Sequence, residues 1–231
     1  MWLNKEHVTA PAIRAYQQAV LQAIPRHVVI DNMFDSNKLA EVARALQQDK
    51  HWQTQKHTYS ALYVDNAKWE KAGKKQRFVQ RDLWQRPAPD AASEADNVAL
   101  QFLAFLRGEE FMALLSRIFK VQLTDINVAR PNINTNYFRL GATDFVNQHA
   151  DDSPGREVCM LLYLNKDWHH NNGGDLVFMG EDNKPVSIAP LYNRCVLFNP
   201  ASPGAEHWVK ALTTENTQQY RYNVTSWYWS E

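Results

Sequence analysis

Cysteine is scarce: the 231-residue chain has two, Cys159 and Cys195. Both sit inside apolar runs without a Cys-x-x-Cys spacing, which excludes a cysteine-rich scaffold and points to reduced, buried thiols in a reducing compartment. No stretch approaches the roughly 20 apolar residues of a membrane span. The opening MWLNKEHVTA has no basic region followed by an apolar one. A soluble, cytoplasmic protein with no membrane partner is the expectation. An excess of either charge is absent as well, with 25 Lys plus Arg against 25 Asp plus Glu, so no overall field draws the chain onto nucleic acid or an anionic surface. Internal repeats and low-complexity tracts are missing, and the length fits a single domain spanning residues 1–231.

Residues 9–24 and 36–48 carry apolar side chains at spacings of three and four behind Thr9 and Ser36, which reads as two helices; residues 93–120 read as two more, joined near Gly108. Between them residues 67–87 are basic and mixed, a wet surface segment or a long loop over a binding face. From residue 121 the pattern changes to eight short β-branched and aromatic runs separated by Gly, Pro, Asn and Asp. The fold class expected is therefore mainly β with N-terminal helices (α+β): a double-stranded β-helix, or jelly-roll, over residues 121–231, with residues 1–120 as helical support and lid.

Within the β half, His149-Ala150-Asp151 offers a nitrogen and a carboxylate two positions apart, which on a strand face the same way. His207 follows 56 residues after Asp151, at the head of the run HWVKAL beyond a Pro- and Gly-containing turn. Two His and one carboxylate form the facial triad of non-haem iron(II), which leaves three adjoining coordination positions open for a bidentate 2-oxo acid and dioxygen. A second carboxylate on that acid needs a cation. Arg221, in YRYNVTSWYW, shares a strand face with Asn223 and Thr225, and its planar fork suits a carboxylate. His169 and His170, in DWHHNNGG, read as an exposed turn.

The ordered elements GATDFVNQHADD, YLNKDW, Gly173-Gly174, PLYNRCVLF, His207 and Arg221 before TSWYW resemble the iron(II)/2-oxoglutarate dioxygenases, in particular the prolyl-hydroxylase-like branch, over residues 137–229. The resemblance implies iron held by His149, Asp151 and His207, and 2-oxoglutarate held by Arg221 and the Tyr163 hydroxyl, with Tyr137 and Thr225 as further candidates. It implies decarboxylation of 2-oxoglutarate to succinate, ascorbate as an accessory reductant, and hydroxylation of a prolyl or other residue of a protein or peptide. A third protein ligand, Asp151, leaves no site for a halide, which favours hydroxylation over halogenation. A free amino acid or other small molecule is the alternative substrate, and a non-catalytic jelly-roll module the alternative class. Lys68, Lys71, Lys74, Lys75 and Arg77 are either a steering surface for an acidic partner or simply solvated. The stretch from His207 to Arg221 is about five residues longer than in the oxygen-sensing enzymes of the family resembled, which separates the substrate question from the core resemblance.

Overall fold

The computed structural model describes residues 1–87, 97–128, 130–213 and 219–230. Helix α1 (Ala10–Gln22) starts where the Ala12 N–H donates to the Thr9 hydroxyl, with Pro11 in the first turn, where a missing N–H removes no helical bond. Helix α2 (Ser36–Gln48) is capped by Asp35 rather than by Ser36: one carboxylate oxygen accepts from the N–H groups of Asn37 and Lys38. After the short α3 (Asn66–Lys71), Asn97 caps α4 (Val98–Leu106), and Gly108 divides it from α5 (Glu109–Phe119). The two helices expected over 93–120 are thus present, residues 93–96 lying outside the described ones.

The strands form two antiparallel sheets. The larger runs, in spatial order, β1 (His27–Asp31), β10 (Arg194–Phe198), β7 (Arg156–Tyr163), β12 (Arg221–Ser230), β5 (Thr135–Leu140), β3 (Arg77–Trp84) and β2 (Trp52–Thr58). Two short strands join it, β4 (Leu123–Thr124) on β12 and β6 (Phe145–Val146) on β3. The smaller sheet is β11 (His207–Val209), β8 (Leu176–Phe178) and β9 (Val186–Ile188). Each of the eight expected runs contains one of these strands, and the expected jelly-roll core with supporting helices is the architecture observed.

Alternation along the strands divides the interior. Val158, Met160 and Leu162 of β7, with Tyr222, Val224 and Tyr228 of β12, pack against Leu39, Leu46, Phe102, Phe111 and Leu115 of the helices. Cys159, Leu161 and Tyr163 point the other way and meet Leu176, Phe178 and Ile188 of the small sheet. Fully burying one such Leu or Phe contributes roughly 1.5–3 kcal/mol, so both seams are strongly specified. Cys159 and Cys195 are buried and unpaired. Among the described residues, no helix is long and apolar enough to cross a membrane.

The first half is less helical than the sequence indicates. It supplies β1, β2 and β3, and the basic stretch 67–87 folds as α3, a short 3-10 turn and β3 rather than as a loop. The strand signal there is masked: β2, on the sheet's edge, reads WQTQKHT, and β3 carries Arg77, Arg81 and Asp82 among its apolar residues. Lys68, Lys71, Lys74 and Lys75 are exposed, as a solvated face requires, while Lys56 Nζ and the Arg77 guanidinium lie over the buried Trp69 ring.

Candidate active site

His149 lies outside any regular strand. An antiparallel bridge fixes it instead: its N–H donates to the His207 carbonyl at 3.0 Å and the His207 N–H returns to the His149 carbonyl at 2.9 Å. Its loop is also tied to β3, since the Asn147 N–H donates to the Phe78 carbonyl and the Asn147 amide to that of Arg77. The i, i+2 strand geometry expected for His149 and Asp151 is therefore replaced by backbone pairing to β11, which brings the same side chains together. Candidate ligand atoms of His149, Asp151 and His207 all lie within 4.8 Å of one another.

Each imidazole is oriented for a ligand. His149 Nδ1 lies 2.9 Å from the Asn147 carbonyl and His207 Nδ1 3.0 Å from that of Ala205. A carbonyl only accepts, so Nδ1 carries the proton in both rings and Nε2 keeps its lone pair free for a metal. Burial, aided by His149, pushes His207 down to about 4, against the opposing pull of Asp151 and the Ala205 carbonyl, so the imidazole is neutral near pH 7. Burial alone would raise Asp151; the two imidazoles, the Trp227 indole and Arg156 together outweigh it and hold the carboxyl below its ordinary value. The indole N–H donates to Oδ2 at 2.9 Å and Arg156 Nη1 to Oδ1 at 3.2 Å.

These groups line a cavity of about 430 Å³, and Arg221 lines it too. Arg221 is 1 % exposed. Its Nη1 donates to Asn223 Oδ1 at 3.0 Å, and the Asn223 amide donates to Thr225 Oγ1 at 2.9 Å, so the shared face expected for these three residues is a hydrogen-bonded row. Nε, Nη2 and the Tyr163 hydroxyl make no hydrogen bond of ordinary geometry, although hydroxyl and guanidinium are close enough to attract one another and the guanidinium carbon stands 4.8 Å from that ring's centre. Burial lifts the Tyr163 phenol to about 12 despite the nearby Arg221 cation, leaving it a neutral donor. Three buried donors converging without an acceptor fit the far carboxylate of a dicarboxylic acid. Gly174 (φ +78°) makes room, since a Cβ there would stand 2.8 Å from Arg221 Cδ.

Tyr137 does not belong to this site. It is on the helix-facing side of β5, its hydroxyl donates to the Ala99 carbonyl at 2.8 Å, and its ring meets Trp84. The neighbours Phe138 and Leu140 take the other face, as the period of two requires. Thr225 lines the cavity as the second link behind Arg221. His169 is exposed. Sequence reasoning missed Arg81, Arg156, His57 and Trp227; of these, Trp227 alone was within reach, by extending the Arg221 face of β12 by two residues.

A His₂Asp set of nitrogen and oxygen donors suits iron(II), manganese or zinc. Residues 135–229 match the family model of the 2OG-Fe(II) oxygenase superfamily. This stretch is similar to a 2OG-Fe(II) oxygenase domain. This family of dioxygenases uses Fe(II) and 2-oxoglutarate, and the triad with the unpartnered Arg221 and Tyr163 fits both. The chain is 27% identical over 154 residues to the mouse (Mus musculus) prolyl 3-hydroxylase OGFOD1, a match covering 64% of this chain and 27% of that protein, so it spans about a quarter of the relative's length. The oxygenase fold is shared with a Pseudomonas putida prolyl-4-hydroxylase, with a TM-score of 0.62 at 15% identity over 95% of this chain and 99% of the other. It is also shared with a Trichoplax adhaerens prolyl hydroxylase solved with a hypoxia-inducible-factor peptide, with a TM-score of 0.61 at 19% identity over 96% and 94%.

Proposed function

We propose that the chain is an iron(II)- and 2-oxoglutarate-dependent dioxygenase that hydroxylates a prolyl or other residue of a protein or peptide. The observation that carries this reading is the buried Arg221, with two unpartnered nitrogens, in a cavity that also holds the His149, Asp151 and His207 cluster. In this assignment His149 Nε2, Asp151 and His207 Nε2 hold the iron, and Arg221 with the Tyr163 hydroxyl binds the far carboxylate of 2-oxoglutarate. Asn223 and Thr225 fix the Arg221 fork through their hydrogen bonds. Bound iron and 2-oxoglutarate supply oxidative decarboxylation to succinate and carbon dioxide, coupled to oxygen insertion into a C–H bond. Arg156 and Trp227 keep the Asp151 carboxylate ionised and oriented.

A polypeptide substrate is favoured by the relatives, which are named for prolyl hydroxylation, and by the cavity's rim, where Leu62, Tyr63 and Ile133 are exposed. The buried, unpaired Cys159 and Cys195 fit a reducing compartment such as the cytoplasm. The test is succinate formation from 2-oxoglutarate with iron(II) and ascorbate, with proline-containing peptides and free amino acids as separate additions. Iron-dependent succinate raised by peptide and abolished in His207→Ala is the expected result. Stimulation by a free amino acid alone would assign a small-molecule hydroxylase, and no succinate from protein shown to bind iron would leave a non-catalytic module.

A further inference from the structure

The side chains lining the cavity include three guanidinium groups, Arg81, Arg156 and Arg221, against one carboxylate, Asp151, so positive charge is in excess by two. Arg156 is bonded to Asp151, and Arg221 faces the cosubstrate in the reading above, on which this inference rests. Arg81 is different. Its guanidinium lies 3.5 Å over the Phe138 ring, its Nε is shut off from solvent without an acceptor, and among the described residues no carboxylate pairs with it. The negative charge that acts on it most is Asp151, already engaged by Arg156 and Trp227. Burial lowers Arg81 to about 10, so it stays a cation at neutral pH.

His57, 5 % exposed, lines the same cavity. Its Nδ1 accepts the Tyr63 N–H at 3.2 Å, so the neutral ring carries its proton on Nε2, and that donor has no partner. Two buried polar groups without a hydrogen-bond partner in the protein thus stand on neighbouring strands, β2 and β3. In the reading above the cosubstrate's far carboxylate is already engaged by Arg221 and Tyr163. Iron(II) and the 2-oxoglutarate dianion cancel in charge, so loading the site leaves the cavity's excess of positive charge in place. In the sheet β3 is separated from β12 by β5, which places the Arg81 backbone about two strand spacings, roughly 10 Å, from that of Arg221.

We propose that Arg81 and His57 form a second anion subsite, distinct from the cosubstrate anchor, which receives a carboxylate of the substrate. The source is an acidic residue near the target in a peptide or the free acid of a small molecule, and both present the same group to the Arg81 fork. The subsite selects acidic over amide-bearing substrates and neutralises charge that the iron and cosubstrate leave uncompensated.

The experiment uses the full chain loaded with manganese(II) and N-oxalylglycine, a non-reacting isostere of 2-oxoglutarate, with binding followed by calorimetry. One arm compares blocked Ala-Ala-Pro-Ala-Ala peptides in which one alanine at a time is replaced by Asp or by Asn. The other compares L-proline with L-prolinamide. In wild type an acid in one arm binds about tenfold or more tighter than its amide, and the arm in which it does so identifies the source. That preference disappears in Arg81→Gln, is partly retained in Arg81→Lys and shrinks in His57→Phe, while the 2-oxoglutarate affinity of these variants matches wild type and their melting temperatures near neutral pH do not fall. Equal binding of acids and amides, or a preference surviving in Arg81→Gln, overturns the proposal. So does a fall in 2-oxoglutarate affinity in Arg81→Gln comparable to that in Arg221→Ala, which would make Arg81 a cosubstrate ligand. Failure of wild type to bind manganese and N-oxalylglycine at all would overturn the oxygenase reading and this subsite with it.

Discussion

The two faces of the large sheet are built from the same strands to opposite rules. Toward the helices, Val224 and Tyr228 of β12 and Leu162 of β7 join an apolar cluster, with polar tips such as the Tyr137 and Tyr228 hydroxyls bonded to helix carbonyls. Toward the small sheet, Arg221, Asn223, Thr225 and Trp227 alternate with those residues and face the cavity, where several buried donors have no partner. Among the described residues the helix face is satisfied in the protein alone; the cavity face holds donors that the proposed ligands would satisfy. Stability and ligand recognition are thus divided at the level of single alternate residues, and substitutions on each face can test that division.

The largest effect is expected from Arg221→Ala, which removes two charge-assisted hydrogen bonds to 2-oxoglutarate worth about 3–6 kcal/mol together, so titration calorimetry should show affinity falling more than 100-fold. Unliganded stability should hold or rise, because a buried, unpaired cation is removed. Leu162→Ala, on the helix face, should lower the unfolding free energy in urea by about 2–5 kcal/mol and leave 2-oxoglutarate affinity in the folded fraction unchanged. A larger loss of affinity than of stability would break the comparison.

The cavity face also carries an acid-sensitive group. Burial, with Arg81 beside it, lowers His57 from 6.5 to about 4. The unfolded chain binds the proton more readily, so this contribution is present above about pH 6.5 and is lost as pH falls towards about 4. Urea titrations across that window should show wild type losing roughly 3 kcal/mol more than His57→Gln. The smallest effect is expected for Tyr163→Phe: its hydroxyl lacks a partner in the protein alone, so unliganded stability should not fall, while 2-oxoglutarate affinity should drop by about 1 kcal/mol, or fivefold.

Much of this was legible beforehand where a local signal existed. Thr9 marks the start of α1, Gly108 divides α4 from α5, and the period of two placed Arg221, Asn223 and Thr225 on one face of β12, as their hydrogen bonds show. Tyr137 was misassigned because alternation says which residues share a face and not which way that face points. β2 and β3 were missed because their charged and polar residues hide the strand period, and Arg81 was missed with them.

By itself the sequence determined the ligand types, the alternation that sorts β12 into two faces and most helix limits, because caps and periodicity act over a few residues. The tertiary structure alone decided that His149 pairs with His207 across 58 residues, that Arg81 from the basic first half shares a cavity with Arg221, and that Tyr137 faces the helices. Those outcomes depend on the register and order of strands distant in the chain, set by burying both sides of one sheet at once, which no local pattern specifies.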